Sequence, residues 1–197
     1  MAPQPLLVLF ASSLWVLIPA YVANAAATLS RGKGPAMDGG RVWHDGRRLL
    51  GASKTWLGFF VGSLVGVAAG SVQAWLILIA PPSLQLVPAF AGTWSGAFLP
   101  LFLLGFGALS GDALGSFLKR RLGRQSSAPF PLLDQLPFLL LPMLLLGIAT
   151  PSLFVRAFWP DPLQGLLAVS WVLLLTLFLH TSFNWVGYFI GAKRVPW

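Results

Sequence analysis

The chain has 197 residues, 56% of them hydrophobic and 9% charged, whereas soluble domains carry about 25% charged residues. A water-soluble globular domain is therefore excluded, and the absence of cysteine removes disulfides and thiolate metal sites. A net charge of +8 on so apolar a chain reads as positively charged membrane loops, not as nucleic-acid binding.

The apolar residues come in runs of membrane length and not in amphipathic stripes. They predict an all-α polytopic membrane bundle of five transmembrane helices over residues 5–27, 56–80, 87–117, 135–153 and 162–190. Ala-Asn-Ala at 23–25 resembles a signal-peptide cleavage site. No Lys or Arg precedes that run, however, and it is longer than a signal h-region, so it reads as a retained span. Pro81-Pro82 predicts a short external turn between the second and third spans.

Twelve of the thirteen cations fall on one side of this arrangement. Arg31, Lys33, Arg41, Arg47, Arg48 and Lys54 lie between spans one and two. Lys119, Arg120, Arg121 and Arg124 lie between spans three and four, and Lys193 and Arg194 follow span five. Only Arg156 lies opposite. The positive-inside rule then places the N-terminus outside and the C-terminus in the cytoplasm. The chain reads as one transmembrane domain, 1–197, with cytoplasmic loops 29–55 and 118–134 and a tail at 191–197. No internal repeat is evident, which disfavours an inverted-repeat transporter.

Five acidic residues, all Asp, carry the candidate chemistry. In a helix over 108–122, Asp112, Ser116 and Lys119 or Arg120 share one face. Asp134 opens the fourth span, and the short connection makes spans three and four neighbours. Two carboxylates without His or Cys ligands suit a hard cation such as Mg²⁺, which takes one or two carboxylates plus substrate phosphates and water. The blander alternative pairs Asp112 with Lys119 and lets Asp134 cap its helix.

Segment 29–55 is dense in glycine, including Gly39 and Gly40, and it carries Asp38, Arg47 and Arg48. Ser53, Lys54 and Thr55 directly precede the second span. Glycine amides, cations and a helix N-terminus together attract phosphate, although no GxxxxGK[ST] pattern is present. A flexible loop that merely obeys the positive-inside rule is the competing reading. His44 reads as a surface residue, whereas Asn24, His180 and Asn184 read as hydrogen-bonding groups between helices.

The stretch "GDALGSFLKRRLG…PFPLLDQLPF" resembles the signature of the membrane CDP-diacylglycerol synthases, a GD-x-x-x-S-x-x-KR helix followed by an acid opening the next helix. The matching positions are Gly111, Asp112, Ser116, Lys119, Arg120 and Asp134. "MDGGRVWHDGRRLLGASKTWLG" and "PAYVANA" are similar to the family's archaeal branch, the CDP-archaeol synthases. "GRQSSAPFPLLDQ" replaces the longer glycine- and histidine-bearing link of the bacterial signature.

The resemblance implies a Mg²⁺-dependent cytidylyltransferase that joins CTP to an isoprenoid glyceryl ether phosphate lipid in the bilayer and releases pyrophosphate. It implies that Asp112 and Asp134 hold the metal, with Asp38 a further candidate. Gly39, Gly40, Arg47, Arg48, Ser53, Lys54 and Thr55 would meet the nucleotide, and Lys119 and Arg120 the lipid phosphate. A homodimer is also an expectation of the resemblance. The alternatives are a CDP-diacylglycerol synthase using ester lipids, a lipid or polyprenol kinase, and a small transporter or scaffold.

Overall fold

A computed structural model describes residues 4–30, 32–81, 85–124 and 130–189. Arg31, Pro82, the 191–197 tail and the Asn184 side chain lie outside the described residues. The regular elements of the described chain are helices, with two isolated β-bridges in the first connecting segment. Its helices are α1 (Leu6–Leu29), α2 (Trp56–Ile79), α3 (Trp94–Arg121), α4 (Pro131–Gln135), α5 (Pro137–Ala149), α6 (Pro151–Phe158) and α7 (Pro162–Phe189).

Among the described residues, α1, α2, α3 and α7 are long and apolar enough to cross a membrane. At 1.5 Å per residue, a 24-residue helix such as α1 reaches about 36 Å, beyond the roughly 30 Å of a hydrocarbon core. The third predicted span starts late, at Trp94, where the Thr93 hydroxyl accepts the Gly96 amide at 3.2 Å and caps the helix.

The predicted span 135–153 is not one helix; it is divided among α4, α5 and α6. Pro137 and Pro151 each follow a residue outside regular helix, and Thr150 is held at φ −134°, ψ 58°. A proline disfavours helical geometry in the residue before it. With 13 residues, α5 alone reaches about 20 Å, short of a crossing.

Buried side chains from α1, α2, α3, α5, α6 and α7 form the core, among them Val16, Leu17, Ala20, Ala74, Leu104, Ala108, Leu139, Leu153, Phe158 and Val172. α1 is central to it and touches α2, α3, α5, α6 and α7. Its contact with α2 runs along a ridge of glycines four residues apart, Gly58, Gly62, Gly66 and Gly70. A Cβ on Gly62 would stand 2.7 Å from the Ala23 carbonyl oxygen, and one on Gly66 2.6 Å from that of Pro19. Close backbone approach at small residues is how helices pack where water supplies no driving force. Gly66→Ala should therefore cost about 1–3 kcal/mol of overpacking. It should lower the thermal midpoint of the detergent-solubilised protein, measured by tryptophan fluorescence.

Pro19 lies inside α1 and cannot donate to the carbonyl four residues earlier. That carbonyl, on Trp15, instead accepts Nε2 of Gln73 from α2 at 3.0 Å. A backbone group freed by proline within a membrane needs such a partner.

Candidate functional site

The segment joining α1 and α2 is an ordered structure. Its two ends run side by side: Met37 N donates to Lys54 O at 2.8 Å and Trp56 N to Pro35 O at 3.0 Å. Between them the chain doubles back, with Trp43 N donating to Arg47 O at 2.8 Å and Leu49 N to Arg41 O at 3.0 Å. Gly39 and Gly40 make the first bend at φ 55° and 79°, a region open mainly to glycine. At the far end Thr55 caps α2, its hydroxyl accepting Gly58 N at 3.2 Å.

Asp38 organises the bend. Its side chain is fully buried and accepts Arg48 Nε (2.9 Å), Arg48 Nη2 (2.8 Å), Gly40 N (3.0 Å) and Leu50 N (3.1 Å). The Arg48 hydrogen bonds, aided by those two amides and the Arg48 charge, outweigh burial and hold its carboxyl down to about 2. Both oxygens are thus committed within the loop, and Arg48 is tied there with them.

The cytidylyltransferase-like stretch forms the last turns of α3. The helix closes in a Schellman motif: Gly123, at φ 75°, donates to Arg120 O, and Arg124 N donates to Lys119 O at 3.1 Å. Lys119, Arg120 and Arg121 occupy the last turn, where the helix dipole favours cations. Arg120 is buried, with Nε donating to Leu50 O of the loop at 2.7 Å and Nη1 to Arg124 O at 2.5 Å.

The two signature aspartates, Asp112 on α3 and Asp134 on α4, each face a lysine from another element. Lys54 Nζ, at the end of the loop, donates to Asp112 Oδ2 at 2.5 Å. Lys119 Nζ donates to both oxygens of Asp134, at 2.8 and 2.9 Å, and Asp134 Oδ2 also accepts Phe130 N at 2.8 Å. Asp112 and Lys119, seven residues apart, lie within about 20° of one another around the helix axis. Gly115 lies between them and packs closely on the Leu133 carbonyl, next to Asp134. Spans three and four are neighbours here, as the short connection implies. The pairing differs from the simplest structural alternative: Asp112 takes Lys54, and Lys119 goes to Asp134.

Among the described residues, no three His or acidic side chains gather into a metal cage. Each signature carboxylate is paired with a lysine here. In chemical type the two are hard oxygen donors, the kind a Mg²⁺-like ion takes together with phosphate and water, and such an ion would have to displace those lysines.

The sequence reading gives Arg121 and Asp45 no role at this site. Arg121 Nη1 donates to Asp45 Oδ1 at 2.5 Å, and Nη2 to the carbonyls of Arg48 (2.8 Å) and Arg47 (3.2 Å). Arg47 Nη1 returns a bond to Arg121 O at 3.0 Å. The Arg121 guanidinium lies 5.1 Å from the Phe117 ring centre and 5.9 Å from that of Trp43. The third cation of "KRR" was visible, but its partners stand more than seventy residues away. Ser53 is exposed and Ser116 buried at this end of the molecule.

An all-helical, multi-pass membrane protein with a glycine-rich, cation-rich loop strapped onto the end of α3, pairing its lysine with one carboxylate while a lysine of α3 pairs with a second, is the class these features define. Residues 6–197 match the CarS-like family of CDP-archaeol synthases. The chain belongs to that family. It is 39% identical over 182 residues to a CDP-archaeol synthase of Methanosarcina mazei, covering 92% of this chain and 100% of the relative. A CDP-archaeol synthase of Thermococcus kodakarensis is 42% identical over 185 residues, covering 94% of this chain and 95% of the relative. A solved structure described as an intramembrane enzyme for archaeal membrane lipids biosynthesis superposes with a TM-score of 0.63 at 34% identity. It covers 85% of this chain and 92% of the other.

Proposed function

We propose that this chain forms CDP-archaeol from CTP and 2,3-di-O-geranylgeranylglyceryl phosphate, releasing pyrophosphate, at the cytoplasmic rim of the membrane. The observation that carries the reading is the meeting of Lys54, at the end of the glycine-rich loop, with Asp112 on the signature helix. A water-soluble triphosphate and a lipid phosphate must meet at a membrane boundary, and this is where the chain concentrates charge.

The lipid phosphate attacks the α-phosphorus of CTP, and pyrophosphate leaves with the electrons of the broken P–O bond. Such transfers need positioning and charge neutralisation more than covalent work by the protein. Asp112 and Asp134 are the residues that would hold Mg²⁺ in this reading, and its charge would offset that of the CTP phosphates. Lys54, Arg47 and the glycine bend at Gly39 and Gly40 cradle the β- and γ-phosphates, with Ser53 and Thr55 at the α2 N-terminus; Arg48, held to Asp38 through Nε and Nη2, adds its charge and its remaining Nη1. Lys119 and Arg120 receive the lipid phosphate, while Arg120 also braces the loop through Leu50. Asp38 acts chiefly by shaping the cradle.

Incubating the purified protein with Mg²⁺, labelled CTP and the archaeal lipid phosphate tests the reading directly. Pyrophosphate and a CDP-lipid are expected, with ester phosphatidic acid a poorer acceptor. CDP together with a newly phosphorylated lipid would mark a kinase and refute it.

The cation bias further supports five crossings with the N-terminus outside, α4 to α6 together forming the fourth. Because the chain lacks cysteine, single-cysteine variants can report the sides. In vesicles oriented as the cell is, a membrane-impermeant maleimide should label Ser152→Cys at once and Ser53→Cys only after permeabilisation.

A further inference from the structure

We infer that Arg121 is a positioning residue for the nucleotide cradle, acting through a clasp with Asp45, Arg47 and Trp43 that fixes the loop on the end of α3. The inference rests on the reading that this loop binds CTP. Arg121 touches neither carboxylate of the signature pair. Its contacts all run to the loop and to its own helix: Asp45 Oδ1, the carbonyls of Arg47 and Arg48, and the flanking rings of Trp43 and Phe117. Trp43 itself stands edge-on to Phe117, with ring centres 5.8 Å apart.

The clasp is reciprocal, since the Arg47 guanidinium donates to Arg121 O and lies about Gly123, where a Cβ would come within 3.1 Å of it. From the two carbonyls that Arg121 grips, the chain of contacts continues inward. Arg48 forks onto Asp38, and Asp38 holds the Gly40 and Leu50 amides. The position of the glycine bend relative to Asp112 is thereby tied to α3. Arginine's planar fork makes this geometry possible; lysine keeps the charge but cannot grip three oxygens in one plane.

The test uses Arg121→Lys and Asp45→Asn in the full-length protein, after confirming a wild-type elution profile and helical circular dichroism. Hydrogen exchange should quicken by about tenfold at the loop amides of Trp43 and Leu49 in Arg121→Lys, matching the loss of one or two charge-assisted bonds. KM for CTP should rise by about tenfold in that variant and by about threefold in Asp45→Asn, which keeps the carbonyl contacts. KM for the lipid phosphate and kcat should stay within about twofold of wild type. An unchanged KM for CTP beside faster loop exchange would reduce the clasp to a structural tie and overturn the inference. So would a fall in kcat at constant KM. Wild-type loop amides that gain no protection from saturating CTP would defeat the cradle reading itself, and the inference with it.

Discussion

Asp112→Asn should abolish most CDP-lipid formation, lowering kcat/KM by about 10²–10³-fold, the scale of losing one preorganised electrostatic group from an active site. The substitution keeps shape and removes charge. It turns the Lys54 ion pair into a neutral hydrogen bond and would leave the proposed ion with one carboxylate. The fold should survive: Asp112 is only partly buried, with 23% of its side chain exposed, and the surrounding α3 core is apolar. The steady-state assay with Mg²⁺ and CTP reads the effect, and a thermal midpoint near wild type distinguishes it from unfolding. Asp134→Asn should cost activity similarly, but it also loosens the turn opening α4, because Asp134 accepts the Phe130 amide.

Asp38→Asn should disorder the cradle without touching the signature carboxylates. It removes the charge that receives both Arg48 bonds and two amides. The expected cost is about 2–3 kcal/mol of loop order, discounted from the buried-pair range because the Arg48 side chain is 35% exposed. The same group sets an acid limit. Its folded value of about 2 lies below the ordinary carboxylate value of about 3.9, so ionised Asp38 stabilises the loop. That contribution is complete above about pH 4 and is lost as pH falls towards 2. Hydrogen exchange of the loop amides, corrected for intrinsic rates, should show protection falling through that window in the wild type. In Asp38→Asn protection should be low and vary less with pH, since of the two loop carboxylates only Asp45 is left to titrate. Equal pH dependence in the two proteins would contradict the assignment.

The long helices were legible because unbroken apolar runs have few alternatives: α1, α2, α3 and α7 fall close to their predicted spans. The division of the fourth run also had a written cause, since Pro137 and Pro151 punctuate it, but its mean apolarity hides the breaks. The glycine ridge of α2 was equally visible at its four-residue spacing. Its meaning depends on which helix lies against it, and a single chain read in order does not say that α1 is the partner. At the site, residue types and their gathering at one end of α3 followed from motif and charge. The partners did not. Asp112 pairs with Lys54 across 58 positions, and Arg121 with Asp45 across 76. No local period encodes such distances; they are fixed only when the loop folds back over the Schellman turn.

That two aspartates from successive helices serve one hard divalent ion is the claim from which the catalytic account follows. Mn²⁺ can replace Mg²⁺ at oxygen-rich sites and reports its own binding. Titrating it into the protein with CTP, followed by electron paramagnetic resonance, should reveal a tightly bound ion in the wild type. That signal should be lost in Asp112→Asn and in Asp134→Asn alike. Undiminished Mn²⁺ binding in either variant would contradict the account.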